Sequence, residues 1–299
     1  MDKKLGITEL KNYFSNWPSF TYEDLYRFYQ YNEGEISKNL LNTRVAILKK
    51  EKIIIRIRSG VYQLGKDGID KEGVKNPSIT NYLVVTGDII DSKRHRITGK
   101  VLETKVRQLN EDMKKRNSGV VPFSSSRGDE FQGVFLIGPE IFDMIRNVRH
   151  TFHPVKVRIG LGIGMIEEGG QPFKEDPGRS SWDLNGEAFQ KARVALDQLN
   201  PTKKSRVLLH SPNSEGNQTF NLVQRLMDTI VGDWSDKQWE AVQLYNQLKS
   251  YEAGAKELGI SKSSFYQRCS SAKWDILRET ENELSHLLVQ KYLVGISEG

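Results

Sequence analysis

The chain has 299 residues, with 44 Lys and Arg against 38 Asp and Glu for a net charge of +6. Hydrophobic residues at 37%, together with 25 glycines, fall in the globular range and exclude wholesale disorder, while the length suits two or more domains. No apolar run approaches the roughly 18 residues that a bilayer span needs, MDKKLGITEL lacks the apolar core of a signal peptide, and the single Cys269 excludes an internal disulfide. A cytoplasmic protein without membrane contact is expected. A zinc site would have to rely on His and carboxylates, and His150 and His153 are too isolated to build one.

Residues 1–70 predict three helices and a hairpin. Leu10, Tyr13 and Phe14 share one face of the first helix, and Leu25, Phe28 and Tyr29 do so in the second. The third, over Ser37–Lys50, sets Leu40, Leu41, Val45 and Leu48 on one side. IIIRIRSGVYQL then gives two β-rich runs joined at Ser59-Gly60. This is the order of a winged helix-turn-helix. Residues 1–75 hold 14 basic and 10 acidic side chains, and Arg44, Lys49, Lys50, Lys52, Arg56 and Arg58 oppose only Glu51 across the third helix and wing. DNA is therefore the expected partner, contacted by Arg44, Lys49, Lys50, Arg56 and Arg58. A solvated face on a small oligomerisation domain is the competing reading. The polar stretch Leu64–Ser78, with three glycines and a proline, reads as a linker.

Residues 79–212 alternate strands and helices. Tyr82–Asp91 is a short apolar strand ending in acids, Val101–Lys115 an amphipathic helix, and VVPFSSS and FQGVFLIG flank RGDE as a hairpin. A helix over Glu140–Arg149, the strand VKVRIGLGIGMI, a helix over Asn185–Leu199 and the strand Arg206–His210 complete the order βαββαβαβ. The acids have a physical meaning of their own. Magnesium takes hard oxygen ligands, usually one or two carboxylates together with substrate phosphates. Asp88 at a strand end and Asp129 in a hairpin turn could share such an ion, with Glu130 and Asp91 nearby. The alternative is that both are turn residues whose side chains bond the backbone. Gly160, Gly162 and Gly164 line one face of their strand, which suits close approach by a ligand and equally by a packed helix. Neither a dinucleotide fingerprint nor a Walker-type phosphate loop is present.

GDI at Gly87–Ile89, SRGDEF at Ser126–Phe131, VRIGLGIG at Val157–Gly164 and GEAFQKAR at Gly186–Arg193 resemble, in order and spacing, the motifs of the nucleotidyl cyclase and polymerase-palm superfamily. That superfamily includes class III adenylate cyclases, GGDEF diguanylate cyclases and the CRISPR polymerase-like palm. More narrowly, the set is similar to the bacterial SatD family. The resemblance implies an α/β (α+β) fold with a ferredoxin-like palm core. It also implies Mg2+ or Mn2+ at Asp88, Ile89 and Asp129, and a nucleoside triphosphate or related nucleotide at Gly128, Gln190, Lys191 and Arg193. Asp88, Asp129, Glu130 and Arg193 would carry any catalysis. Where active cyclases have Asn and, four residues later, Arg, this chain has Gln190 and Val194, with Arg193 one position early. Where diguanylate cyclases have two glycines before the acid pair, Arg127 precedes Gly128. Lys191, Arg193 and Arg179 are the cations to hand.

Residues 219–299 read as helical, entered through SPNSEGNQ and a helix near Phe220–Val231. AKELGISKSSFYQ resembles the helix-turn-helix of sigma-factor region 4: Ala255 where two helices cross, Gly259 in the turn, Ser261 as the cap of a second helix. Lys262, Ser264, Gln267 and Arg268 would face a DNA groove. Residues 234–299 carry 8 basic and 9 acidic side chains, so use of this unit for dimerisation is the rival reading. The whole describes a transcription regulator with a winged helix, a metal-nucleotide-binding palm and a C-terminal helix-turn-helix, expected to act as a homodimer. The alternative is an active metal-dependent nucleotidyl cyclase or transferase controlled by its flanks, and a third is a structural palm joining two DNA-binding ends.

Overall fold

A computed structural model describes residues 5–14, 20–33, 36–58, 61–65, 81–114, 119–126, 128–138, 140–168, 171–172, 180–200 and 202–289. The Ser59-Gly60 turn, the linker beyond residue 65, Arg127 and Arg179 lie outside the described residues, as does the side chain of Arg58. The elements fall into two compact units, one covering those through Leu64 and the other Thr80–Leu288.

The first unit contains α1 (Ile7–Phe14), β1 (Phe20–Thr21), α2 (Tyr22–Glu33), α3 (Lys38–Lys50), β2 (Ile54–Arg58) and β3 (Val61–Leu64). Leu10, Phe14, Leu25, Tyr29, Leu41 and Leu48 are buried in one core, as the helical spacing requires. Leu40 is the exception to the expected face, being 42% exposed, because it sits one position and about 100° away from Leu41. Ser37 caps α3 by accepting from the Leu40 amide. β2 and β3 pair antiparallel, and β1 adds to β3 to give the order β1-β3-β2.

The second unit is built on β4 (Tyr82–Ile89), α4 (Gly99–Lys114), β5 (Gly119–Ser125), β6 (Glu130–Leu136), α5 (Ile141–Phe152), β7 (Val157–Gly164), the short pair β8 (Glu167–Glu168) and β9 (Gln171–Pro172), α6 (Glu187–Gln198) and β10 (Val207–His210). Five strands form a sheet in the order β10-β7-β4-β6-β5, antiparallel except for the parallel β10-β7 edge. β4 is buried except at the half-buried Asp88, because it is the central strand with helices on both faces. The alternating glycines of β7 settle the choice left by the sequence. A Cβ at Gly160 or Gly162 would collide with the main chain of Ala188, Ala192 or Leu196, so these glycines let the backbone of α6 lie directly on the strand.

The helices α7 (Ser214–Gly232), α8 (Asp236–Leu248), α9 (Tyr251–Glu257), α10 (Lys262–Ser271) and α11 (Trp274–Val289) follow. α5 is buried almost all round, polar Arg146 and Asn147 included, because it lies between the sheet and these helices. Phe142 of α5 stacks on Phe220 of α7 at 5.8 Å between centroids. Asn147 accepts from Gln243 of α8 at 2.9 Å, Asp143 accepts from Asn246 at 3.0 Å, and Arg146 forms an ion pair with Glu281 of α11. The α9–α10 turn matches its sequence signature at Gly259 and Ser261, while the close crossing falls on Gly254, one position before the buried Ala255 that was expected there. Gly259 is left-handed at φ +61°, Ser261 caps α10 by accepting from the Ser264 amide, and the helices cross on Gly254, where a Cβ would strike the Phe265 ring. No helix among the described residues is long and apolar enough to cross a membrane.

Candidate functional site

The candidate site lies where β4 ends. Asp88 stands opposite Glu130 on β6 and opposite Arg158 on β7, so three charged residues meet across adjacent strands. Two-residue alternation puts Asp88 on the same sheet face as α6. Arg158 grips Asp88 with two prongs, Nε at 2.8 Å and a shorter contact through its second terminal nitrogen, and it also donates to the carbonyl of Leu199. From α6, Arg193 grips Glu130 in the same way, at 2.7 and 2.8 Å. Each carboxylate strengthens the proton affinity of its guanidinium, directly through the hydrogen bonds, and Asp197 adds to both.

Asp129 occupies the hairpin turn and accepts from the Ser92 hydroxyl at 2.6 Å. Ser92 is placed by the tight turn after β4, where Asp91 takes a left-handed conformation at φ +54°. Gly128 donates its amide to Ser126 at 3.2 Å. Ile89 is buried, and its backbone continues the ladder opposite Val157. On α6, Lys191 pairs with Glu187 at 2.5 Å, while Gln190 is exposed. The fold thus brings Asp88, Glu130 and Arg193 together and sets Asp129 at the adjoining turn, but leaves Lys191 engaged along its own helix.

Arg158, Asp197 and Ser92 were missed from the sequence. Arg158 had a readable signal: it shares parity with Gly160, Gly162 and Gly164, and so shares the face of β7 that meets α6. Among the described residues no three His, Cys, Asp or Glu side chains form a metal-ligand cluster. Asp88 and Asp129 are the carboxylates here that could hold an ion, Asp88 being engaged by Arg158 and Asp129 by Ser92.

In the first unit, Lys49, Lys50 and Arg56 are exposed. Arg44 is turned inward instead. It is buried, clamps Glu33 at 2.7 and 2.6 Å, and its guanidinium lies 4.4 Å from the Tyr29 ring centre. In the helical region, Lys262, Ser264 and Gln267 are exposed on α10, whereas Arg268 is half-buried and bonded to Glu240 at 3.1 Å. His153 bonds Asp236 at 2.7 Å and, like His150, lies beside the Trp239 ring.

A mixed five-stranded sheet carrying an acid–arginine cluster at one end, joined to an all-helical C-terminal region, makes this a mixed α/β protein with one compact second unit. The model of the SatD family matches residues 82–288, and the chain belongs to that family. The match takes in the sheet and the helices after it, in agreement with the compact unit Thr80–Leu288. No curated protein matches the chain.

Proposed function

We propose that the protein is a DNA-binding regulator whose sheet unit binds a metal-nucleotide at the end of β4. One observation carries the reading: Asp88, Glu130, Asp129 and Asp197 outnumber Arg158 and Arg193, and the two arginines close on the two cross-strand acids. In such a cluster each guanidinium can exchange its carboxylate for a phosphate, releasing the carboxylate to a cation that arrives with the phosphate. The order β7-β4-β6-β5, with the β5–β6 hairpin at one edge, supports a ferredoxin-like palm extended by α6 and β10.

In this reading Asp88, Asp129 and the Ile89 main chain hold Mg2+ or Mn2+. Gly128, Gln190, Lys191 and Arg193 serve the nucleotide. When bound, the ion neutralises phosphate charge and polarises the phosphoryl group. The exposed Lys49, Lys50 and Arg56, with Lys262, Ser264 and Gln267 on the second unit, are the DNA-facing set, and a homodimer would present each set twice.

The second reading, an active nucleotidyl cyclase or transferase, is favoured by one observation. Arg193, although one position early in its motif, still reaches Glu130. Calorimetric titration of the full chain with each nucleoside triphosphate, with and without Mg2+ or Mn2+, tests the proposal. Asp88→Asn and Asp129→Asn should abolish the metal-dependent part of binding. Equal binding by these variants and the parent would overturn it, and mass spectrometry of the same mixtures decides between binding and turnover.

A further inference from the structure

At the start of β7 lies a cavity of about 170 Å³ whose wall includes Arg149, Lys156, Arg206, Trp234 and Trp239. It shares no residue with the Asp88 cluster. Lys204 also lines it, but is answered by Asp233 at 3.0 Å. Beside the cavity is Asp228, completely buried and fully bonded. It accepts from Arg149 at 2.7 Å, from Gln224 at 3.0 Å, and from the amides of Arg206 and Val207 at 2.6 and 3.0 Å. One carboxylate therefore answers Arg149, while among the described residues the guanidinium of Arg206 donates only to the carbonyls of Lys203 and Ser205. Among the described residues the Lys156 side chain, which is exposed, makes no hydrogen bond or ion pair.

The wall is thus two positive charges in excess, and one of them is unfavourably placed. Burial, and then the neighbouring Arg149 guanidinium, lower the proton affinity of Arg206, and Asp228 offsets this in part. An anion in the cavity would relieve both penalties. Arg149, Lys156 and Arg206 come from α5, the start of β7 and the start of β10, so they approach from separate elements. That arrangement suits a tetrahedral anion with several oxygens better than a flat carboxylate.

We infer that this cavity is a binding site for phosphate, either free or as the head of a small phosphomonoester. Its volume is below the roughly 300 Å³ at which pockets for drug-sized ligands begin, which suits an anion of this size. The indoles of Trp234 and Trp239 offer an apolar flank to a small organic group.

The test is calorimetric titration of the full chain, in EDTA so that no metal site contributes, with inorganic phosphate and separately with ribose 5-phosphate. Saturable binding is expected, weakened about tenfold or more in Arg206→Gln and in Lys156→Ala, as loss of a charge-assisted bond requires. Tighter binding of ribose 5-phosphate identifies the phosphomonoester as the ligand class, and equal binding identifies the free anion. Lys156 is exposed, so its variant decides the matter even if Arg206→Gln fails to fold. Absence of saturable binding by both probes, or undiminished binding in folded variants, would overturn the assignment.

Discussion

Arg146 on α5 and Glu281 on α11 stand 135 residues apart in sequence and form a buried ion pair inside the second unit. Asp143 shares the same guanidinium, and the Trp274 ring lies 4.7 Å from it. Desolvation pushes the Glu281 carboxyl up, and Arg146 pulls it back toward the ionised form. Removing one member of such a pair leaves a buried charge unanswered, which costs about 3–5 kcal/mol. Arg146→Ala, which strands Glu281, should therefore lower stability by that order in urea melts, and Glu281→Ala, which leaves Asp143 on the guanidinium, by less. Tryptophan fluorescence, read in a Trp17→Phe variant so that the remaining indoles of Trp182, Trp234, Trp239 and Trp274 all belong to the second unit, should change in one transition, because the sheet and the helices share α5. Two separated transitions would show that they unfold independently.

The seating of α6 on β7 gives a second expectation. Gly162→Ala places a methyl group against the main chain of Ala188 and Ala192, which cannot yield as a side-chain tip can. A loss of about 3 kcal/mol is expected, the upper part of the usual range for overpacking. Gly232→Ala is the control, since nothing lies within 4 Å of its added carbon. It should be neutral or slightly stabilising. Denaturant midpoints of the two variants measure the difference.

The N-terminal cations divide into two kinds of mutant. Replacing Lys49, Lys50 and Arg56 together should weaken DNA binding on all sequences and reduce the salt slope by about three phosphate contacts, with little effect on melting. Arg44→Ala should instead lower the melting temperature, since it strands Glu33 and uncovers Tyr29. Binding isotherms across a salt series, paired with thermal melts, separate these outcomes. Retention of the full salt slope in the triple variant would remove this surface from the DNA-binding reading.

Cys269 is a buried residue of α10, and desolvation pushes its thiol up from 9.0 to about 11. The folded state thus favours the neutral thiol. Its contribution to stability is whole below pH 9.0 and is lost as pH rises through about 11. Stability measured across pH 8 to 11 should fall less in Cys269→Ala than in the parent. Thiol titration at pH 8 should be slow for native protein and fast in denaturant, and rapid native reaction would contradict the burial.

Much of the architecture was legible because it is written locally. The strand and helix order of the second unit follows from apolar periodicity, and Gly259 and Ser261 do the jobs their residue types suggest. The α5 contacts with α8 and α11 were not legible, because Asn147 and Gln243, or Arg146 and Glu281, carry no short-range signal of pairing. Asp88 and Glu130 were found as acids, yet their engagement by Arg158 and Arg193 depends on strand register and on where α6 is seated. Arg44 misled for a similar reason: charge counts along a helix do not reveal which cation has a carboxylate beneath it.

Because α6 touches β7 through backbone atoms, the helix has no cushion of side chains on which to slide or roll. Its outward row, Gln190, Arg193, Val194 and Asp197, is consequently carried on a rigid mount. Side chains in that row can be exchanged without re-registering the helix. Gln190→Asn combined with Val194→Arg would thus leave the seating of α6 on β7 unchanged.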